Sequence, residues 1–326
     1  MAQGINPIQV AESGATEDRG ARLIAARSVV NDIQPTQPDY FNALSVADGQ
    51  TVSIDKIRVS LTMNDPDWLI GHADTFCPSA DVDYWAGRGG IGSYHSMWRY
   101  PIGDSSVTLG AGQREKGGRV NGRKGFVELC PNKTALDESL WSLLDRMAGH
   151  VKTAHMMRYD LALDVAQPRE NFRMVKDRRR YETVQDVVLT EYLGMRNRAG
   201  RVKLYDKSFE SGLAEPLTRI ELTCDGDWTA ADIQCKWPTV CTWNVPEDTR
   251  GWVRALGMML SEKISRGEEV ESYLSMLGRT SRAKVRECCQ TGRIELPESV
   301  TDYALNQSKK WCEIVSGDMS LPAVFI

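Results

Sequence analysis

Three short apolar segments of the chain carry acidic, basic and phenolic side chains at regular spacings. The segments span residues 157–164, 202–207 and 217–222. Because side chains along a strand alternate between its two faces, each segment would present its functional groups on one face. The groups that share a face in this way are Asp160 and Asp164, Tyr205 and Lys207, and Arg219 and Glu221. If the strands are neighbours, one sheet surface collects three acids, a phenol, an ammonium and a guanidinium, a set that packing alone does not require.

Carboxylates gathered on a buried surface repel one another and raise each other's pKa values unless a cation lies among them. Oxygen ligands of this kind favour Mg²⁺, Mn²⁺ or Ca²⁺ over zinc. A simpler alternative stays open. In that alternative Asp160 and Asp164 end an edge strand in solvent. Arg219 and Glu221 then form an ordinary surface ion pair.

A tyrosine near a metal ion favours one reaction above others. A free phenol has a pKa of about 10, so ionising it at pH 7 costs about 4 kcal/mol. A nucleophilic tyrosine therefore needs a base or a cationic neighbour, and Lys207 lies two residues from Tyr205. A metal ion would polarise a phosphodiester and absorb the charge that develops on its oxygens. The combination indicates transesterification of a nucleic-acid backbone.

Composition and charge describe an ordinary globular chain with a locally basic segment. The chain has 326 residues and a formal net charge of −4, which favours one large or two medium domains. Residues 169–207 nevertheless hold eleven Lys or Arg against six Asp or Glu, enough for a local surface that binds a polyanion. The expected contacts to DNA phosphates are Arg178, Arg179, Arg180, Arg196 and Arg198. The alternative for the run 176–180 is a solvated helix face.

Location and redox state follow from what the sequence lacks. No apolar run approaches the ~18 residues of a spanning helix, and the first residues show no basic and then apolar leader, so we expect a cytoplasmic protein. The eight cysteines form no C-x-x-C pair, which favours reduced thiols over disulfides or zinc. The sequence also lacks a P-loop, paired metal-binding histidines and a G-x-S-x-G nucleophile motif.

The order of patterned segments predicts an α+β fold. Strand patterns precede a helix over 134–148, with Thr134 and Asp137 as a capping box, and a basic helix over 169–182 separates the first chemical strand from the other two. Asn121-Gly122 predicts a hairpin turn. The expected architecture is a largely antiparallel central sheet with packed helices and a helical C-terminal region. The expected divisions are a polar tail at 1–48, a catalytic domain at 49–247 and a helical region at 248–326, which is a candidate for DNA binding.

The order of these motifs resembles the replication initiation factor family of rolling-circle plasmids and filamentous phages. The resemblance rests on Arg-Tyr-Asp-Leu-Ala-Leu-Asp at 158–164, Glu-Tyr-Leu-Gly-Met-Arg at 191–196, Lys-Leu-Tyr-Asp-Lys-Ser-Phe-Glu at 203–210 and Thr-Arg-Ile-Glu-Leu at 218–222. Segments 53–60 and 125–129 are similar to its earlier strands. The first of them has Lys56-Ile57 after Asp55, where the family often has an aromatic residue.

What the resemblance implies is an initiator that nicks one DNA strand with a tyrosine. The enzyme keeps the 5′ phosphate covalently and leaves a 3′ hydroxyl as a primer. By position, Tyr205 is the implied nucleophile, and Tyr192 is the rival nucleophile on another strand. The implied ligands of Mg²⁺ or Mn²⁺ are Asp160, Asp164 and Glu221, and the implied phosphate contacts are Lys207 and Arg219.

The implied partner is origin DNA, either single-stranded or as a supercoiled duplex. A host helicase and polymerase, and a second copy of the chain in a homodimer, are further expected partners, and no membrane is expected. Two other functions stay open. A noncatalytic DNA-binding regulator would use residues 270–290, where two helical patterns flank Leu277-Gly278 as in a helix-turn-helix. A metal-dependent nuclease that activates water would use the same acids without a tyrosine.

Overall fold

The structure is a computed structural model that describes residues 43–319, except 48, 66, 74–82, 87–93, 103, 104, 116–118, 135, 136, 186, 244, 266, 267 and 269. Residues 1–42, most of the predicted tail, lie outside the described residues. Its last part, Leu44–Ala47, is strand β1.

The strands follow one another from β1 to β14 along the chain. They are β1 (Leu44–Ala47), β2 (Gln50–Met63), β3 (Asp83–Ala86), β4 (Tyr94–Ile102), β5 (Ser105–Arg114), β6 (Val120–Leu129), β7 (Val151–Val165), β8 (Phe172–Met174), β9 (Tyr181–Gln185), β10 (Leu189–Leu193), β11 (Val202–Asp206), β12 (Thr218–Asp225), β13 (Val240–Trp243) and β14 (Gln290–Ile294). The helices are α1 (Trp68–His72), α2 (Pro131–Thr134), α3 (Glu138–Ala148), α4 (Lys207–Ser211), α5 (Ala230–Lys236), α6 (Gly251–Ser265), α7 (Glu271–Ser275), α8 (Arg279–Cys289) and α9 (Glu298–Ser316).

The described strands form one large sheet and one small sheet. The large sheet has eleven strands in the order β3-β4-β5-β6-β2-β7-β12-β11-β10-β9, and β1 pairs with β2. Its neighbouring strands are antiparallel. The small sheet has the order β14-β13-β8. The predicted α+β class with a largely antiparallel sheet is confirmed.

Helices α3 and α9 pack on the apolar face of the large sheet. Trp141 of α3 stacks on Trp311 of α9 with ring centroids 6.3 Å apart, and both belong to the same core as Leu161 and Leu163 of β7. Full burial of one such side chain contributes about 1.5–3 kcal/mol. The side chains that alternate with these apolar residues along β7 therefore lie on the other surface of the sheet, which we call the polar face.

A β-bulge in β2 changes which residues face the core. Buried apolar residues fall at Val52 and Ile54 and then resume at Ile57, a spacing of three where a regular strand has two. The pairing of β2 with β7 shifts between Ile54 and Lys56, so Asp55 is the additional residue. The three-residue spacing between the apolar residues Ile54 and Ile57 is therefore the feature of the sequence that indicates this bulge.

The C-terminal helices α6, α7 and α8 share a second apolar cluster. Its buried members are Val253, Leu260, Val270, Leu274, Val285 and Cys289. The region predicted to be helical from residue 248 contains these helices and α9, and it also contains strand β14.

The predicted basic helix over 169–182 is wrong. The chain instead forms a 3-10 turn at Arg169–Asn171, strand β8, an irregular stretch and the start of β9. The reason is that Phe172 and Met174, both buried, alternate with the strand period and pair with β13. A solvated helix face therefore does not explain the basic run.

Two local predictions also need correction. Asn121 and Gly122 lie within β6, and Asn121 pairs with Gln113, so they are not the hairpin turn. The connection between β5 and β6 is instead closed by a hydrogen bond in which Glu115 N donates to Arg119 O over 2.8 Å. Helix α3 is capped by Asp137, whose Oδ1 accepts from Ser139 N over 2.8 Å.

Thr134 is not the cap of α3, because it ends α2 and its hydroxyl donates to Cys130 O. The seven described cysteines are free thiols, as expected for a reduced protein, and Cys77 lies outside the described residues. No helix in the described ranges has the length and apolar character needed to cross a membrane.

Candidate active site

The three chemical strands are neighbours in the sheet, so their functional groups meet on the polar face. In the pairing of β7 with β12, Arg219 lies opposite Asp164 and Glu221 lies opposite Ala162. In the pairing of β12 with β11, Tyr205 lies opposite Arg219. Directly opposed residues of an antiparallel pair point to the same side. The structure therefore brings the predicted acids, the tyrosine and the guanidinium together.

Tyr205 is hydrogen-bonded to a carboxylate. Its hydroxyl donates to Glu221 Oε2 over 3.3 Å, and the residue is only 4% exposed. Burial, together with the negative charge of Glu221, raises the pKa of the phenol well above its usual range. Tyr205 therefore cannot ionise alone near neutral pH and needs a proton acceptor at this position.

Glu221 has the properties of such an acceptor. Burial, and then the charges of Asp160 and Asp55, raise the pKa of its carboxyl to about 7. Burial also raises the pKa of Asp160. Oδ1 of Asp160 is buried and has no hydrogen-bond partner among the described residues. The two carboxyls thus form a buried acidic pair that shares less than two full charges at neutral pH.

Arg219 is held by two carboxylates. Its Nε and Nη2 donate to Oδ1 and Oδ2 of Asp164 over 2.6 and 2.7 Å, and its Nη1 donates to Asp55 over 2.5 Å. Burial lowers the pKa of Arg219, but the bonds to Asp164 outweigh it and keep the group charged. Asp164, expected to bind a metal, is therefore engaged with Arg219. The guanidinium, expected to contact phosphate, is turned towards protein acids.

Lys207 is not on the strand face with Tyr205, because the strand ends one residue earlier. Asp206 caps helix α4 by accepting from Phe209 N over 2.8 Å, and Lys207 binds Glu210 over 2.5 Å. The cation that contacts the tyrosine is Lys203, with its Nζ 3.5 Å from the ring centroid. The expected placement of Lys207 on this strand face is wrong. The same period-two alternation, followed from Tyr205 back to Lys203, predicts the lysine that does contact the tyrosine ring.

Asp55 is a site residue that the sequence prediction left out. It reaches Arg219 directly, and its charge contributes to the raised pKa values of Tyr205 and Glu221. The three-residue spacing from Ile54 to Ile57 was the available signal, since a bulge re-aims the extra side chain.

The three expected metal ligands share the polar face but do not form a three-ligand metal site. Among the described residues, no group of three His, Cys, Asp or Glu side chains could hold a metal ion. Asp160 and Glu221 are suited to a cation by their burial and by the unpartnered Asp160 oxygen, whereas Asp164 is satisfied by Arg219. The donor set therefore fits a metal ion only in part, and a metal stays a prediction.

Cations border the acidic pair on the β2 and β6 side. Lys56 lies opposite Asp160 and binds Glu128 over 2.7 Å. Arg58 binds the same carboxylate over 2.6 Å, and Arg158 lies 3.7 Å from it. Three cations around a single acid leave an excess of positive charge next to the site.

The rival Tyr192 lies on the same face. It pairs with Lys203 across β10 and β11, and the guanidinium carbon of Arg201 lies 4.5 Å from its ring centroid. Tyr192 is half-buried, so it is more accessible than Tyr205.

The arginines predicted to contact DNA meet at one place in the fold. Gly194 N donates to Arg180 O, and Arg179 Nη1 donates to Gly200 O, so the 176–180 run adjoins the loop that carries Arg196 and Arg198. Arg179 is also bound to Asp177, and Arg180 pairs with Glu182. The exposed arginines of the group are Arg178, Arg180, Arg196 and Arg198.

Comparison with known proteins adds a weak structural likeness. No protein-family model and no curated protein matches the sequence. A solved structure described as a rolling circle replication initiator protein from Geobacillus stearothermophilus is 11% identical, and the match covers 68% of this chain and 98% of that chain with a TM-score of 0.35. A likeness at this score does not bear on function.

Proposed function

We propose that the protein is a DNA nicking and joining enzyme that initiates rolling-circle replication through a tyrosine nucleophile. One observation supports this most strongly: a buried tyrosine donates its hydroxyl proton to a carboxylate whose pKa is raised to about 7. Any buried phenol needs a hydrogen-bond partner, but a partner whose pKa lies near neutrality can also accept the phenolic proton.

The chemistry uses the Tyr205 and Glu221 pair. Glu221 accepts the phenolic proton as the Tyr205 oxygen attacks the phosphorus of a backbone phosphodiester. The new bond joins the tyrosine oxygen to phosphorus, and the bond from phosphorus to the 3′ oxygen breaks. The leaving 3′ oxygen takes up a proton and becomes a 3′ hydroxyl. The 5′ phosphate stays on the tyrosine, and attack by a 3′ hydroxyl reverses the step and rejoins the strand.

The charges around Tyr205 and Glu221 suit these reaction steps. A base works best when its pKa lies near the working pH, and burial, followed by the charges of Asp160 and Asp55, brings the pKa of the Glu221 carboxyl to that range. Lys203, at 3.5 Å from the ring, stabilises negative charge on the phenol as the proton leaves. Arg219 fixes Asp55 and Asp164 in place and thereby keeps the Asp55 charge where it raises the pKa of Glu221.

A divalent metal ion belongs to the proposal as an expected cofactor. Asp160 would hold it through its Oδ1, unpartnered within the described part of the chain, while Glu221 keeps the role of base, and when bound the ion would withdraw electron density from a phosphate oxygen. The cations Lys56, Arg58 and Arg158 would bind the phosphates of the strand beside the scissile one.

A covalent adduct between protein and DNA distinguishes this proposal from two alternatives. A water-activating nuclease would use Asp160 and Glu221 but would leave no DNA on the protein. A noncatalytic regulator would bind through 270–290 and leave the DNA intact. That segment does form two helices, α7 and α8, which pack against α6.

The test is covalent capture of DNA. A randomised single-stranded oligonucleotide pool with a 3′ fluorophore is incubated with the full chain and Mn²⁺, and the products are separated under denaturing conditions. Wild type and Tyr192→Phe should carry the label, whereas Tyr205→Phe should not. Sequencing the captured DNA would reveal the site that is cut. Cleavage without any labelled protein would favour the water-activating nuclease instead.

A further inference from the structure

A second charged site lies away from Tyr205, in a cleft between the stretch before β9 and helices α7 and α8. The cleft has a volume of about 410 Å³, within the usual range for small-molecule sites. Its lining includes Lys176, Thr183, Ser272, Ser275, Arg282 and Arg286.

The cleft is on the side of the sheet opposite Tyr205. Thr183 pairs with Glu191, the neighbour of Tyr192, and Tyr192 pairs with Lys203 on the polar face. Successive side chains of a strand point to opposite faces. Thr183 and Glu191 therefore point away from the polar face, and a ligand in the cleft would not touch the nicking tyrosine.

The acids at the cleft are already neutralised by arginines. Asp177 accepts from Nε and Nη2 of Arg179 over 2.9 and 2.7 Å. Glu271 is paired with Arg286. Lys176, which is exposed, and Arg282 then leave an excess of positive charge in the cleft.

Two guanidinium nitrogens at the cleft have no acceptor. Arg282 uses Nη2 to bond Ser275 O and Leu277 O at the end of α7, but its Nε and the Nε of Arg286 are buried without a hydrogen-bond partner in the described parts of the chain. A buried donor left unpaired costs about 1–3 kcal/mol, so the protein's own acceptors in the described residues do not use the full donor capacity of these two guanidinium groups.

We infer that this cleft binds a phosphate group, presented by a nucleotide or by a DNA backbone. A phosphate offers several acceptor oxygens to guanidinium donors. Thr183, which carries a hydroxyl, lines the same cleft, whereas the Ser275 hydroxyl donates to Ser272 O. The inference does not require that Tyr205 is a nucleophile.

Binding of dTMP and of inorganic phosphate to the full chain, measured by isothermal titration calorimetry, tests the inference. Both should bind wild type saturably, and Lys176→Glu should weaken binding by about tenfold or more, the loss of one charge-assisted bond. Lys284→Glu, an exposed change elsewhere on α8, is the matched control and should bind as wild type does. Thermal unfolding of Lys176→Glu should match wild type, which shows that the fold is kept.

Competition identifies the source of the phosphate. If the source is DNA, a single-stranded oligonucleotide displaces dTMP, and Lys176→Glu weakens DNA binding as well. If it is a free nucleotide, the oligonucleotide leaves dTMP bound. Tyr205→Phe should bind dTMP normally in either case, so loss of the nicking proposal would leave this inference standing. Absence of saturable binding to wild type, or unchanged binding to Lys176→Glu, would overturn it and leave Arg282 and Arg286 as ties between α7 and α8.

Discussion

The Tyr205 hydroxyl and the Glu221 carboxylate are joined across adjacent strands by a hydrogen bond of 3.3 Å. The bond links a phenol with a strongly raised pKa to a carboxyl with a pKa of about 7. Each residue is close to the polar face's other charged groups because β11 and β12 are paired in register. In the proposed reaction, the rate therefore depends on the protonation state of Glu221.

Glu221→Gln should reduce nicking by about a hundredfold or more, because an amide cannot accept the phenolic proton. In wild type the single-turnover rate should rise with pH and level off above about 7, as Glu221 becomes ionised. The same rates measured for Glu221→Gln should lack this rise. A wild-type rate that is flat between pH 5.5 and 8.5 would remove Glu221 as the base.

The same substitution should stabilise the protein at alkaline pH. The folded pKa of Glu221 is raised above the unfolded value, so wild-type stability is fully present below about pH 4.5 and declines as pH rises towards 7. Gln carries no charge to bury, so at pH 8 the free energy of unfolding of Glu221→Gln should exceed that of wild type by about 1–3 kcal/mol. Urea unfolding at pH 5 and pH 8 measures the difference. Equal stability of the two proteins at pH 8 would mean that Glu221 ionises freely in the fold.

Asp164→Asn should act through Arg219 and not through a metal ion. It leaves a buried guanidinium with one carboxylate partner in place of two, so we expect a loss of about 3 kcal/mol in the free energy of unfolding. Urea unfolding in excess chelator isolates this effect. If Asp164→Asn were as stable as wild type in chelator and only Mn²⁺-dependent activity fell, the ligand role expected from the sequence would be restored.

Metal dependence is predicted to follow Asp160. Excess chelator should abolish nicking, and Asp160→Asn should raise the Mn²⁺ concentration needed for half-maximal rate, since each lost carboxylate weakens binding of the ion. A Mn²⁺ titration of single-turnover rates gives this value. Nicking at the full rate in excess chelator would remove the metal from the account.

Much of this site follows from strand periodicity alone. Alternation along β7, β11 and β12 places Asp160, Tyr205 and Glu221 on one face, and the structure pairs these strands. Periodicity does not reveal which charges bind each other. Arg219 and Asp164 lie 55 residues apart, and only the register of β7 against β12 sets their contact. Long-range pairing of this kind is not encoded in local spacing.

Other errors came from local patterns that tertiary contacts override. The charges of 176–180 suggested a helix, but burial of Phe172 and Met174 against β13 extends the chain before them. Strand alternation predicted that Lys207 continues β11, but Asp206 caps a helix that begins at Lys207. A side-chain cap competes with the strand ladder at such a position.

The exposed arginines should set the salt dependence of DNA binding. Replacing Arg196 and Arg198 by Ala should flatten the log–log salt slope on duplex DNA by about 2, because each phosphate contact releases condensed counterions with a slope near −0.9. Affinity for specific and nonspecific sequences should fall alike. Fluorescence anisotropy across a salt series measures both. An unchanged slope would mean that Arg196 and Arg198 are solvated and do not contact DNA phosphates.

The most direct measurement is to locate the tyrosine that carries the DNA. The covalent adduct is digested with nuclease and protease, and mass spectrometry identifies the peptide that bears a nucleotide on tyrosine. The proposed function predicts the modification on Tyr205, with Tyr192 unmodified. Attachment at Tyr192, or DNA cleavage with no modified tyrosine, would contradict it.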